Sequence, residues 1–199
     1  LQNIEPIDFR PLAARLGSSL LRRRLHAQAD LRASLVHQGE GPLAVERLVP
    51  VDRIITRFLA ATGFAARGLA NCLDICTVIR DQPLANLPPA FEGFRLLQIS
   101  DLHLDCVAGF ADRLVDLIAG TPHDLAVITG DFADHPAGYF HHCLDDIRRL
   151  GRALGPGTLA ILGNHDIIEI VPHLESAGFC ALLNENIGIE RDGQRLWFA

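Results

Sequence analysis

Three short apolar runs, each closed by a knot of polar side chains, dominate the second half of this 199-residue sequence. The first, "FRLLQIS" at 94–100, runs into Asp101, His103 and Asp105; the second, "DLAVIT" at 124–129, into Gly130, Asp131 and Asp134. The third, "TLAIL" at 158–162, runs into Gly163, Asn164, His165 and Asp166. From Asp101 to Asp131 is thirty residues and from Asp131 to Asn164 thirty-three, and one strand–helix–strand unit needs about thirty. The gaps carry helical patterns at 108–119, with Leu114, Val115, Leu117 and Ile118 on the inner side, and at 137–153. A shorter helix follows near 167–177, where Pro172 implies a kink or a late start. Strands alternating with helices predict an α/β fold around a buried, parallel sheet. Ligands of such sheets gather outside the carboxyl ends of the strands, so all three polar clusters should open into one crevice. The tail reads differently: "IGIE", "RDGQ" and "RLWFA" resemble two strands joined by an Asp-Gly turn.

Several carboxylates drawn into one crevice repel one another, and a buried unpaired charge is heavily penalised. A divalent cation removes that conflict, and carboxylate oxygen, imidazole nitrogen and amide oxygen are a suitable ligand set. Asp101 and His103 flank a single residue and can reach the same ion, while Asp131, central in the trio, is placed to bridge two. Gly130 and Gly163 let the backbone turn beside the metal without a side chain in the way. Single polar residues at strand ends are ordinarily turn formers or caps. His123, His135, His141, His142 and His173 are read that way, as solvated or capping residues.

The set D-x-H, G-D and G-N-H-D, standing as Asp101-Leu102-His103, Gly130-Asp131 and Gly163-Asn164-His165-Asp166, resembles the signature of the calcineurin-like metallophosphoesterase superfamily, most closely its bacterial phosphodiesterase-type members. The likeness covers roughly 94–199. It implies a layered α-β-β-α sandwich holding two divalent ions, Mn, Fe or Zn. Asp101 and His103 would bind the first ion, Asp131 would bridge both, and Asn164 would bind the second. His165 would steady or protonate the leaving oxygen, with Asp166 orienting its ring. The implied reaction is hydrolysis of a phosphodiester, phosphomonoester or pyrophosphate by a hydroxide held between the metals. Family members add further histidines downstream, one alone and then a G-H-x-H pair, and nothing after His173 can serve here. The sequence therefore reads as a fold incomplete at its C-terminus. The alternative is a weak or inactive member that binds a phosphorylated ligand or a protein partner.

Ahead of this domain, residues 1–90 are expected to form a helical region and a proline-rich linker, with 91–199 the catalytic portion. Leucines at 12, 16, 20, 21, 25, 31 and 35 predict one or two amphipathic helices over 7–38, "QGEGP" at 38–42 breaks them, and a further helix starts near Pro50 and runs to about Arg80. The apolar stretch 54–79 is interrupted by Arg57, Arg67 and Asp74, which suits an amphipathic or protein-buried helix better than a membrane span. No signal peptide opens the sequence, so the expected compartment is the cytoplasm, with peripheral membrane contact through the arginine-bearing first helix as the rival to packing on the domain. Residues 1–70 hold ten arginines against six acids, and 71–199 eight against eighteen. An acidic second half argues against nucleic acid and for a phosphorylated small molecule or lipid headgroup approached through metal cations. The five cysteines are too scattered and odd in number for a disulfide framework and read as reduced, small apolar residues.

Overall fold

A computed structural model of the chain describes residues 7–37, 51–134 and 139–199. The breaker at 38–42, the helix entry at Pro50, the first residues of the 137–153 helix and His135 lie outside them. Four helices come first: α1 (Arg10–Leu16), α2 (Ser18–His37), α3 (Val51–Ala61) and α4 (Phe64–Leu73). Then follow β1 (Leu96–Ile99), α5 (Phe110–Ala119), β2 (Leu125–Ile128), α6 (Leu144–Leu154), β3 (Leu159–Ala160), α7 (Val171–Ser176), β4 (Cys180–Ala181), β5 (Ile187–Arg191) and β6 (Gln194–Phe198). The chain is thus a mixed α/β fold around a parallel sheet, with helices at its N-terminal side.

Strands β1 to β4 form a single sheet in sequence order, every neighbouring pair parallel. Period-two alternation sends Leu97, Ile99, Ala126, Ile128 and Ala160 into one core with Leu114 and Ile118 of α5 and Ile147, Leu150 and Leu154 of α6. The opposite face is barer, with Leu96 and Ile161 both more than two-fifths exposed. The expected hairpin forms as β5 and β6, antiparallel around Asp192 and Gly193, and makes a second, two-stranded sheet. Strand β4 had no sequence signal, because its two residues carry no alternation of their own; Cys180 and Leu182 donate backbone N–H to Thr158 and Ala160. Pro172 marks a late start, since α7 opens beside it after a 3₁₀ turn at Ile168–Ile170.

The N-terminal helices divide into two pairs. Gly17, at φ +80°, separates α1 from α2. Leu12 and Leu21 are buried against Ile168, Val171 and Ala181, so this pair packs on the β4–α7 edge of the domain. Its arginines largely serve that packing: Arg15 pairs with Glu175 and Glu185 and donates to the Ala181 carbonyl, and Arg24 reaches the Asp166 carbonyl. The expected single helix to Arg80 is corrected twice. Thr62 and Gly63, the latter at φ +77°, break it into α3 and α4, and α4 stops at Leu73. Beyond Leu73 come Ile75, Thr77, Val78 and Ile79, whose branched side chains lose rotamer freedom in a helix, and the segment runs without regular structure.

Candidate metal centre

In "SDLHLD" the alternation outlasts β1. Leu102 and Leu104 are buried, while Asp101, His103 and Asp105 take the intervening positions. The ladder continues past the regular strands, as Asp101 N donates to Gly130 O at 3.2 Å, His103 N to Asp131 O at 3.0 Å and Leu104 N to Phe132 O at 3.0 Å. These bonds lock the exits of β1 and β2 together and hold three non-glycine residues in the left-handed region: Asp101 at φ +54°, His103 at +38° and Asp131 at +55°. Such conformations cost about 1–3 kcal/mol each and persist only where the surroundings over-determine them. The result is that ligand atoms of Asp101, His103 and Asp131 all lie within 4.8 Å of one another.

The third tip is pressed against the second. A Cβ on Gly130 would strike the Gly163 backbone, and one on Gly163 would strike the Asp131 carboxylate, so both positions require glycine for close approach. Asp166 provides the lock. Its Oδ2 accepts from Asp131 N at 2.7 Å and Gly163 N at 2.9 Å, and its Oδ1 from Phe132 N at 2.9 Å. Burial pushes its carboxyl above the ordinary range, while the three amides favour the ionised form. His165 N donates to Asp131 Oδ1 at 2.9 Å, and Asn164 sits exposed between Gly163 and His165.

The orientation expected of Asp166 is corrected here. Its oxygens are engaged by backbone amides from two strand tips, and the His165 ring is held instead by the Asp134 carbonyl, 2.6 Å from Nδ1. A carbonyl only accepts, so Nδ1 carries a proton and Nε2 is the atom left for chemistry. That hydrogen bond raises the imidazole pKa, with Asp131, Asp134 and Asp166 adding to it and burial opposing. The His103 and His165 rings meet edge to face at 5.1 Å between centroids.

Asp134 and Cys106 were missed as site residues. Asp134 N donates to Asp105 Oδ1 at 2.7 Å, and Asp134 Oδ1 lies 3.4 Å from His103 Nδ1. His103, Cys106 and Asp134 form a second group with ligand atoms within 4.8 Å. The signals available were the spacings themselves, Asp131 to Asp134 and His103 to Cys106, each three residues. Gln28 of α2 was also missed, for it is buried, accepts from Ile168 N at 2.9 Å and donates to Glu169 Oε2 at 2.7 Å. No local pattern marks a glutamine in an arginine-rich helix as a partner of a loop 140 residues away.

The remaining histidines vary. His123 Nδ1 lies 2.8 Å from the Thr121 carbonyl, a local contact in the loop after α5. His173 is neither solvated nor capping: its ring packs against Phe140 and His141, Nε2 is buried without a hydrogen bond, and burial lowers its pKa. All five cysteines are free, and only Cys143 is fully buried, its thiol pushed up to about 12 by the loss of water. Cys72, Cys76 and Cys106 are exposed, so the small-apolar reading holds for Cys143 and not for them.

The donor set fits divalent cations. Two carboxylates and an imidazole converge, and His103 Nδ1 is a buried nitrogen without a hydrogen-bond partner, which a cation-bearing site tolerates and an apolar one does not. Among known proteins, the family pattern described as calcineurin-like phosphoesterase matches residues 94–197. Two Bacillus subtilis proteins, the uncharacterised metallophosphoesterases YkoQ and YkuE, are 32% identical over 115 residues and 37% identical over 84. Those alignments cover 51% and 40% of this chain, and 40% and 29% of the two relatives. A Bos taurus protein named as a transmembrane protein with metallophosphoesterase domain is 29% identical over 145 residues, 68% of this chain and 32% of its own length. The chain thus spans less than half of each of these relatives.

Proposed function

Since the chain belongs to the calcineurin-like phosphoesterase family, we propose that it is a metal-dependent hydrolase of phosphoric esters working through a dinuclear centre at the three strand tips. The observation that carries this reading is the convergence of Asp101, His103 and Asp131 within 4.8 Å, on backbone held in a conformation these residues rarely adopt. Asp101, His103 and Asp131 would hold the divalent ions, with Asn164 as a further ligand. When bound, such ions supply Lewis acidity toward phosphoryl oxygens and lower the pKa of water. The chain's own part is to place and retain protons. Asp166 fixes Asp131 and Gly163 through their amides, the Asp134 carbonyl keeps Nδ1 of His165 protonated, and in the imidazolium form Nε2 carries a second proton, the one that the leaving oxygen requires.

The substrate we propose is a phosphorylated small molecule or a lipid headgroup phosphate. The acidic domain supports an anionic substrate only with cations present to invert the local field. The Bos taurus relative's name joins this domain to a membrane protein, which supports a headgroup. In the present chain no helix among the described residues is long and apolar enough to cross a membrane.

Hydrolysis of bis-p-nitrophenyl and mono-p-nitrophenyl phosphate with added Mn, together with calorimetric titration of Mn, tests the reading. Asp131→Asn should abolish Mn binding, whereas His165→Ala should retain it and lower turnover by about 10²–10⁴. Mn binding unaffected by Asp131→Asn would overturn the site. Mn binding without turnover would favour a phospho-ligand binding module instead.

A further inference from the structure

Every described side chain from Ile54 to Cys72 is exposed, so α3 and α4 form a helical hairpin whose side chains no other described residue covers. The exposed residues include Ile54, Ile55, Phe58 and Leu59 on α3 and Phe64 and Leu69 on α4, with Phe58 at 61% and Phe64 at 56%. In α3 the spacing i, i+1, i+4, i+5 gathers the four apolar residues on one side, and Arg57 falls outside that arc, as Arg67 falls outside the arc of Phe64 and Leu69. Between residues 53 and 73 the sequence has three arginines and no acid, in a protein of net charge -6. The hairpin is a local cationic, amphipathic element on an otherwise acidic body.

We infer that the α3–α4 hairpin docks on an anionic lipid surface, its apolar side entering the headgroup boundary with Arg57 and Arg67 at the phosphates. The charge pattern selects this occupant, since a second copy of the chain in a two-fold contact would set the same cationic patch against itself. Length selects the mode. Helices of 11 and 10 residues reach only about 16 Å each, too short to cross a bilayer and sufficient to lie in its interface. The attachment points also matter. The Leu73 carbonyl accepts from Arg113 Nε of α5 at 3.3 Å. The hairpin is therefore tied at its base to α5, the helix that follows the loop carrying Asp101 and His103. Docking does not depend on the hydrolytic reading and is measured apart from it.

Sedimentation of the full chain with vesicles of phosphatidylcholine containing about 25% phosphatidylglycerol, against phosphatidylcholine alone, tests the inference. Binding is expected to the anionic vesicles only, and to weaken as salt is raised. Phe58→Glu with Phe64→Glu should abolish it, and Arg57→Glu with Arg67→Glu should lower it by about tenfold or more. Both double variants should keep the parent's circular dichroism, because these side chains are exposed. The inference is overturned by absence of binding to the anionic vesicles, or by binding that both double variants retain. It is equally overturned by light scattering that shows a stable dimer dissociated by the phenylalanine substitutions, since a second copy would then be the occupant.

Discussion

Two arginine-bearing helical pairs meet opposite fates in this molecule. Pair α1–α2 turns Leu12 and Leu21 into the β4–α7 edge and spends Arg15, Arg24 and Gln28 on loops beside the crevice. Pair α3–α4 leaves Phe58, Phe64 and Leu69 in the open. The difference teaches that an amphipathic arginine-bearing helix is not yet a surface or a support. It becomes a support where the opposing surface offers carboxylates and unpaired backbone groups, as Glu175, Glu185, the Ala181 carbonyl and the Ile168 amide do here.

If the comparison is sound, substitutions should grade in effect from the crevice outward. The largest loss of stability is expected for Asp166→Ala, which strands the Asp131, Phe132 and Gly163 amides in a buried site and should cost about 3 kcal/mol or more, read as a lowered urea midpoint. Gln28→Leu comes next. It leaves the buried Ile168 amide without an acceptor and should cost about 1–3 kcal/mol; a neutral result would mean that α2 rests on the domain without bracing it. Smaller still is a pH effect centred on His173. Its folded-state pKa is depressed below 6.5 by burial, so the unfolded chain binds more protons as pH falls. Stability from this residue should be full above pH 6.5 and decline below it, and His173→Leu should flatten that decline in thermal melts. Least of all, Phe58→Ser on the uncovered hairpin should stay within about 0.5 kcal/mol of the parent. A large loss there would show that α3 is packed against something after all.

Reactivity sharpens the same contrast. Cys72, Cys76 and Cys106 are exposed, whereas Cys143 is buried with its thiol pushed up to about 12. Under native conditions Cys72 and Cys76 should react readily with an alkylating reagent, Cys106 more slowly because burial and the Asp134 and Asp105 carboxylates raise its thiol, and Cys143 only on unfolding.

The sequence by itself determined what period and spacing can express. Alternation through "LLQISDLHLD" placed Asp101 and His103 at a strand tip, intervals of thirty and thirty-three residues set the three tips in register, and Asp192-Gly193 turned the last hairpin. These are local, because a strand's pleat and a turn's dihedrals are set by a few neighbouring residues. Tertiary structure alone decided the rest. Whether Asp166 would face an imidazole or three amides, which carbonyl would hold His165, that Nε2 of His173 would be buried, and which helical pair would be covered all depend on partners far away in sequence. Side-chain pattern records how much a residue can bury or donate; only the packed chain supplies the group that receives it.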